Sequence, residues 1–597
     1  MHPIVSSPAR RPRALLSIAL ASVLGASAGC GQILGIEPGT LTSTGDAGPA
    51  SPADAGLASP ADTGTTAVSS PEGGSDSLDA SPEQDAGTLP PPATGSEFAI
   101  TAETSKVTLV RGGAAQVAIA ISASGPRSGP VTVTATGLPA GVWVDPLSVP
   151  ATATGGTLTL HAITSTTLTV TAALQITGTS GPFSHDVTVP LFVQDPSGSL
   201  DVTFGSGGIA TVPLAGGRAS AGIGLHGLAI QPDGAIVFCG NGLFGQNYEL
   251  VLGRLTPSGN LDASFASGGL AVMNEPGHWV DVCSTVSLLG TGSLIVSGFT
   301  VVPNDSNYPH TFLVSRFSPT GQLDPSFGSG GFFNLEAGGV DAKPYDLVPL
   351  PDGKLLLGGF AGSNLALLQL TPAGTVDTTY GTKGDGTSLL APPNGAHAIT
   401  ALALLPDGNV LGPIDASSFL VERFTPAGSL DATYGASGQA TAPAPPSPSG
   451  APFGVVLQPD GKAVVAGNTT PSSSVAGAVQ LARFDTAGAL DKTFGQDGVA
   501  STTFPGGSAT TSALVRMPDG RFVVGATLPT SAPIGIVRYD ATGALDTAFA
   551  GTGYTGVAGY SYGDAVALDD AGRIVISAFA MNATEDTASV VVARFWP

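Results

Sequence analysis

The chain has 597 residues, 84 of them Gly and 49 Pro, carries a formal net charge of −23, and is only 11% charged residues. That length exceeds one ordinary domain, and turn-formers beside frequent Val, Thr and Phe favour many short strands over helices. The acidity argues against nucleic acid as a partner, since neutralising phosphates needs clustered Lys and Arg, and against adsorption to anionic lipid except through a covalent anchor.

At the N-terminus, Arg10, Arg11 and Arg13 precede an apolar run from Ala14 to Ala26, followed by Ser27-Ala28-Gly29-Cys30. A basic start, a short apolar stretch and small residues before a cleavage point make residues 1–29 an export signal, too short to span a bilayer as a mature helix. The segment ending in Cys30 resembles a bacterial lipoprotein box, with Ser27 where Leu is usual. The resemblance implies lipidation of Cys30 and, because Gly31 rather than Asp follows, sorting to the outer membrane or cell surface. Residues 30–95 are mostly Ala, Ser, Pro, Gly, Thr and acids, and no Lys or Arg occurs between Arg13 and Lys106. Such a segment buries too little surface to offset the entropy of ordering, so a disordered acidic tether is expected.

Residues 96–195 change to alternating apolar and small polar residues. Lys106–Val110, Ala115–Ile121, Val131–Thr136, Thr157–His161, Thr166–Ile176 and Asp186–Val193 read as strands, enough for a two-sheet β-sandwich. Gly137-Leu138-Pro139-Ala140-Gly141-Val142, read as a turn, and the following Pro146-Leu147-Ser148-Val149 resemble bacterial immunoglobulin-like surface domains. The expected role is a spacer, with adhesion as the alternative.

From 198 to 597 an internal repeat dominates. Leu200-Asp201-Val202-Thr203-Phe204-Gly205 recurs around Asp262, Asp324, Asp377, Asp431, Asp491 and Asp546, always with Phe or Tyr three residues after the Asp. Eight residues before the second to seventh Asp stand Arg254, Arg316, Gln369, Arg423, Arg483 and Arg538. Between these landmarks, Pro232-Asp233-Gly234 recurs at Pro351, Pro406, Pro459 and Pro518, with weaker copies at Thr291 and Ala571. Apolar runs joined by an Asp-Gly turn form hairpins, and four strands per unit repeated seven times predict a propeller blade. The chain ends at Arg594-Phe595 without the Leu-Asp-aromatic continuation, which is found instead at Leu200. The expected fold is therefore all-β: a seven-bladed β-propeller closed by an N-terminal strand, with Arg594 paired to Asp201. The repeats resemble the delta-60 repeat family of bacterial propeller proteins, and more loosely NHL-type propellers. Neither resemblance implies an activity.

The repeated Asp and Arg read as architecture, since a catalytic site does not need seven copies. Gly559-Tyr560-Ser561-Tyr562-Gly563 matches a hydrolase elbow in letters only, because a strand follows it and no His lies downstream. No cofactor or metal motif occurs. Cys239 and Cys283 read as two buried thiols, with a disulfide as the alternative. Tight turns fall on one face and long connections on the other, which makes the second face the binding surface. Its largest loops are expected at Asn241–Glu249 and Thr300–Thr311. The candidate ligand-binding residues there are Tyr248, His278, Trp279, Asp281, Tyr308, Tyr345, Asp346 and His397, a set of aromatic and polar groups suited to a glycan or peptide. Three functions stay open: a surface lipoprotein presenting a ligand- or protein-binding scaffold, a propeller hydrolase or lyase using His278 or His397 with Asp281 or Asp346, and a structural envelope component.

Overall fold

The computed structural model describes residues 98–214, 217–218, 224–275, 277–278, 280–301, 309–335, 340–381, 383–393, 396–416, 419–443, 450–469, 476–529, 534–582 and 587–597. The signal, Cys30 and the tether lie outside them. The described chain is built of strands, and among the described residues no helix is long and apolar enough to cross a membrane.

Residues 98–194 form two sheets. One orders Phe98–Ala102, Ala114–Ala123, Gly155–Ala162 and Val142–Val144; the other orders Val107–Val110, Phe183–Gln194, Thr169–Ser180, Val131–Thr136 and Leu147–Val149. Alternation along the strands sends Val117, Ile119, Ile121, Leu158, Leu160, Leu174, Ile176 and Leu191 into one core between them. Two short strands, Val142–Val144 and Leu147–Val149, follow the segment read from sequence as a turn, the first beginning at its last residue. Val107–Val110 runs parallel to Leu191–Gln194.

The rest of the chain repeats one antiparallel pattern. The inner strands are Gly224–Ile230, Val280–Leu288, Ala342–Pro349, the pair Ala398–Ile399 and Ala403–Leu404, Gly450–Leu457, Thr510–Arg516 and Ser561–Leu568. Each pairs with a second strand, that with a third, and the third with a short outer strand. In the last unit the outer position is taken by Ile209–Pro213, antiparallel to Ser589–Ala593 of the third strand. A parallel bridge, Tyr248 to Val280, merges the first two units into one nine-stranded sheet.

The Asp-Gly turns form as their chemistry requires. In the first, the Asp233 carboxylate accepts from the Ala235 N–H at 3.0 Å and Gly234 takes φ of +80°. The same Asp bond recurs at Lys354, Asn409, Lys462 and Arg521, and the Thr291 hydroxyl replaces it at Ser293. Apolar cores lie between units rather than within them. Val464, Leu481 and Phe494 pack with Phe522, Val537 and Tyr539 of the next unit, and Phe204, Val575 and Phe579 of the last with Ile236 and Phe238 of the first. Each fully buried Phe contributes roughly 2–3 kcal/mol.

Two expectations need correction. Asn241–Glu249 is not a loop: Ile236–Phe244 and Asn247–Leu255 pair throughout, as far as Phe244 with Asn247, so the segment is an extended hairpin closed at Gly245-Gln246. Apolar Leu243 and Phe244 facing Tyr248 and Asn247 across the strands carry that extension. Cys239 and Cys283 are not two thiols but a disulfide joining the first two units, with 6.0 Å between Cα atoms. Cys283 lies within the strand Val280–Leu288.

Candidate functional site

The conserved geometry of the repeat accounts for its charged residues. Each motif Asp uses one carboxylate oxygen to hold the N–H two residues on, as Asp262 does with Ser264 at 3.0 Å. The other oxygen takes an Arg Nε: Arg254–Asp262 at 2.8 Å, Arg316–Asp324 at 2.8 Å, Arg423–Asp431 at 2.7 Å, Arg483–Asp491 at 2.9 Å, Arg538–Asp546 at 2.8 Å and Arg594–Asp201 at 2.9 Å. The guanidinium lies over the motif aromatic, 4.5 Å from the Phe204 ring centre in the case of Arg594. Its Nη1 then crosses to the next unit and donates to a backbone carbonyl, of Pro319, Pro372, Thr486, Ala541 or Pro257. Five of the six guanidiniums thus tie neighbouring units together on the tight-turn face, while the buried Arg538 Nη1 has no such partner.

Where the Arg is replaced by Gln369, Lys354 supplies the cation at 2.8 Å from Asp377. Lys354 follows the Asp-Gly turn, and the equivalent Lys462, Arg521 and Arg573 also reach the motif Asp of their units, at 2.9, 3.5 and 3.0 Å. This second cation was legible as a Lys or Arg directly after Asp-Gly or Ala-Gly but was missed by comparing Arg and Asp alone.

The opposite face gathers the other polar and aromatic groups. It lies at the first residues of the inner strands, Val280, Ala342 and Ala398, and at the far ends of the second strands, Val301, Ala361 and Asp415. Two clusters stand there. In the first, the His278 Nε2 is 3.2 Å from the Asn334 Nδ2, its Nδ1 is 3.5 Å from the Glu275 Oε2, and the Thr311 hydroxyl donates to the Asn334 Oδ1 at 2.9 Å. Asp281 is buried and accepts from the Glu275 N–H. Burial pushes its carboxyl up, against bonding from Thr300 and Glu275 and the charge of His278. Burial, then the charge of Asp281, also raises Glu249. Tyr248 is half-buried across from Leu243. Glu249, Glu275 and Asn334 are members that sequence reading did not anticipate.

The second cluster spans the second to fourth units. The His310 Nδ1 sits 2.5 Å from the Asp341 Oδ1, its ring meets Phe299 edge-on at 4.8 Å, and the Lys343 Nζ lies 4.0 Å from the Phe299 ring centre. Burial lowers Lys343, partly offset by Asp341. Tyr345 is the extra residue of a β-bulge between Pro344 and Asp346. A bulge re-aims its side chain, and Tyr345 stays 43% exposed with its ring 6.2 Å from Phe360. Partial loss of water around its hydroxyl raises its phenol, and the charges of Asp415 and Asp341 raise it further. His397 is exposed beside Asp415, to whose carbonyl its N–H donates at 2.7 Å.

Asp346 stands apart from these. Its two carboxylate oxygens accept the N–H groups of Leu347 and Leu402 at 2.8 Å, and burial pushes it up to about 6. It ties the third unit to the fourth and does not face the mouth with a free oxygen. Trp279 and Tyr308 lie outside the described residues. Exposed aromatic faces beside acid, base and amide groups can hold a neutral polar ligand by stacking and hydrogen bonds. Among the described residues, no group of three or more His, Cys, Asp or Glu is arranged to hold a metal.

Residues 231–265, 350–380 and 458–494 match a family described as a domain of unknown function (DUF5122) beta-propeller. Each match runs from the start of an Asp-Gly turn to a motif aromatic. No curated protein matches the chain. Among solved structures, it is similar to a protein of unknown function from Bacteroides caccae, at 14% identity over 53% of this chain and 92% of that one, with a TM-score of 0.31. A DUF4784 family protein from Bacteroides caccae ATCC 43185 is 10% identical over 78% of this chain and 96% of that one, with a TM-score of 0.27. Scores this low carry no argument about function. The repeating four-stranded sheets and the three matched stretches together make the C-terminal part of the chain a β-propeller.

Proposed function

We propose that this protein is exported, held to a membrane through lipid on Cys30, and presents its propeller as a binding module for an extracellular glycan, with a peptide or protein as the alternative ligand. The signal, the acidic tether and an immunoglobulin-like spacer would carry the propeller away from the membrane. We read the propeller as seven blades in one ring, fastened where Ile209–Pro213 lies along the last third strand. The Asp201–Arg594 pair and the Ala550 N–H bond to the Ser197 carbonyl at 3.0 Å support that reading.

The observation that carries the binding reading is Tyr345, exposed on a bulge amid His397, Asp415, Asp341 and Lys343. Most of the repeated charges hold units together, whereas on the opposite face Tyr345 presents an exposed ring. The test is an array of glycans and peptides probed with the mature chain. Tyr345→Ala is expected to weaken the captured ligand about tenfold or more, while Gln322→Ala on the tight-turn face leaves it unchanged. Equal binding by Tyr345→Ala overturns the assignment of the mouth. Incorporation of labelled fatty acid by the native chain but not by Cys30→Ser tests the anchor, and an unlabelled native chain refutes it.

A further inference from the structure

In the first six units the inner strand carries one residue more than its partner. The register against the second strand slips at His226, Ser284, Tyr345, Phe453 and Ser512. Each stands seven positions before the Asp or Thr of its turn, and Thr400 holds that place in the fourth unit, where the inner strand is broken between Ile399 and Ala403. Hydrogen bonds run from one of these positions to the next. The Ser284 hydroxyl donates to the Pro344 carbonyl beside Tyr345 at 3.1 Å, the Leu402 N–H donates to Asp346 at 2.8 Å, and the Thr400 hydroxyl donates to the Pro452 carbonyl beside Phe453 at 3.0 Å. The bulge residues of the second to fifth units therefore form one belt.

Along the belt, short and long side chains behave differently. Ser284 and Thr400 fold back on a neighbouring carbonyl, whereas Tyr345 is 43% exposed. Phe453 is half-buried but packs in neither apolar core bordering its unit, although Val455, Val456 and Leu457 on the same strand do. Each inner strand meets its second strand along one edge. In the ring proposed above, the other edge borders the enclosed space, and a bulge turns its side chain off the ladder toward it. We propose that Tyr345 and Phe453 wall a subsite inside that space, on either side of Thr400, and that it takes a pyranose residue of the gluco configuration. Stacking on an aromatic ring needs a sugar face that offers C–H groups. A pyranose with all its hydroxyls equatorial offers them on both faces, one for each ring. An axial hydroxyl would press a polar group against one ring without a partner. This subsite presupposes the glycan reading of the mouth and adds Phe453 to it.

The probe is cellotriose, titrated calorimetrically into the mature chain, with mannotriose of the same β linkage, whose rings each carry an axial hydroxyl, as the control. Cellotriose is expected to bind, and mannotriose to bind about tenfold more weakly. Phe453→Ala should weaken cellotriose about tenfold, while Phe453→Tyr holds it as the native chain does. The Tm of Phe453→Ala should stay close to the native value, because the ring lies outside the cores, and this separates lost binding from lost folding. Weakening by Tyr345→Ala but not by Phe453→Ala, or equal binding of mannotriose, overturns the subsite and leaves the mouth standing. No weakening by either variant overturns both. A chain that ignores cellotriose at millimolar concentration overturns the subsite, with the array still deciding the mouth.

Discussion

Asp201→Asn tests the contact between the stretch around residue 201 and the last unit. Asp201 is fully buried, and one of its oxygens takes Arg573 at 3.0 Å and Arg594 at 2.9 Å, with those side chains only 10% and 3% exposed. Asn keeps an oxygen for the Thr203 N–H but removes the charge, which leaves the buried Arg594 facing a neutral amide, while Asp569 still holds Arg573 at 2.7 Å. Stranding buried charge in this way costs about 4 kcal/mol. With unfolding entropy near 2.1 cal/mol/K per residue over about 400 residues, that is a fall in Tm of about 5 °C if the propeller melts as one unit. The internal control is Asp324→Asn, whose Asp is 32% exposed and whose Arg316 is 19% exposed. Its solvated pair should cost about 1 kcal/mol, a fall of about 1 °C. Differential scanning calorimetry on the two variants decides the matter. A loss in Asp201→Asn no larger than in Asp324→Asn would refute both the burial argument and the contact.

Lys354→Gln should destabilise more than Lys462→Gln, because Arg483 remains on Asp491 whereas Gln369 leaves Asp377 with no cation; thermal melts at pH 7 compare them. Asp377 is held down to about 2, first by its bond from Lys354. Its stabilisation is present above the ordinary carboxylate range and lost as pH falls toward 2, so Lys354→Gln should also flatten the acid side of the Tm–pH curve between pH 4 and 2. Asp346 has the opposite sign: raised to about 6 by burial, it binds its proton more tightly folded than unfolded. Its contribution to stability therefore grows as pH falls through 6 toward 4, and Asp346→Asn should remove that component of the Tm–pH slope; an identical slope in the variant would contradict the assignment.

What could be read in advance was what backbone chemistry demands locally. Asp-Gly after an apolar run needs a positive φ and a side-chain acceptor, so the Asp233, Asp352, Asp407, Asp460 and Asp519 turns were visible in the letters. The motif Asp and its Arg were visible because eight residues across a hairpin bring them together in five units, and because the end of the chain lacks the Asp that Asp201 supplies from 393 residues away. Relations across units were not. The Cys239–Cys283 bond depends on which sheet face each residue takes and on how neighbouring sheets stack, and a spacing of 44 residues fixes neither. The hairpin at Gly245-Gln246 was hidden because polar Asn241, Gln246 and Asn247 read as loop, while cross-strand apolar pairs extended the ladder. At the mouth, Tyr345 and His397 could be named from their place before inner strands. Asp346 was misjudged, since a one-residue bulge turned its carboxylate toward the Leu402 N–H.

The clamp between units has a consequence for how such a chain can change. In five units the guanidinium meets the next unit through a carbonyl, and the residues offering it are Pro257, Pro319, Pro372, Thr486 and Ala541, so Pro, Thr and Ala serve alike. A main-chain oxygen is offered by every amino acid, so neighbours need not mutate in concert to stay joined. Gene segments encoding single units can be copied, swapped or allowed to drift independently, and each new arrangement inherits a working seam.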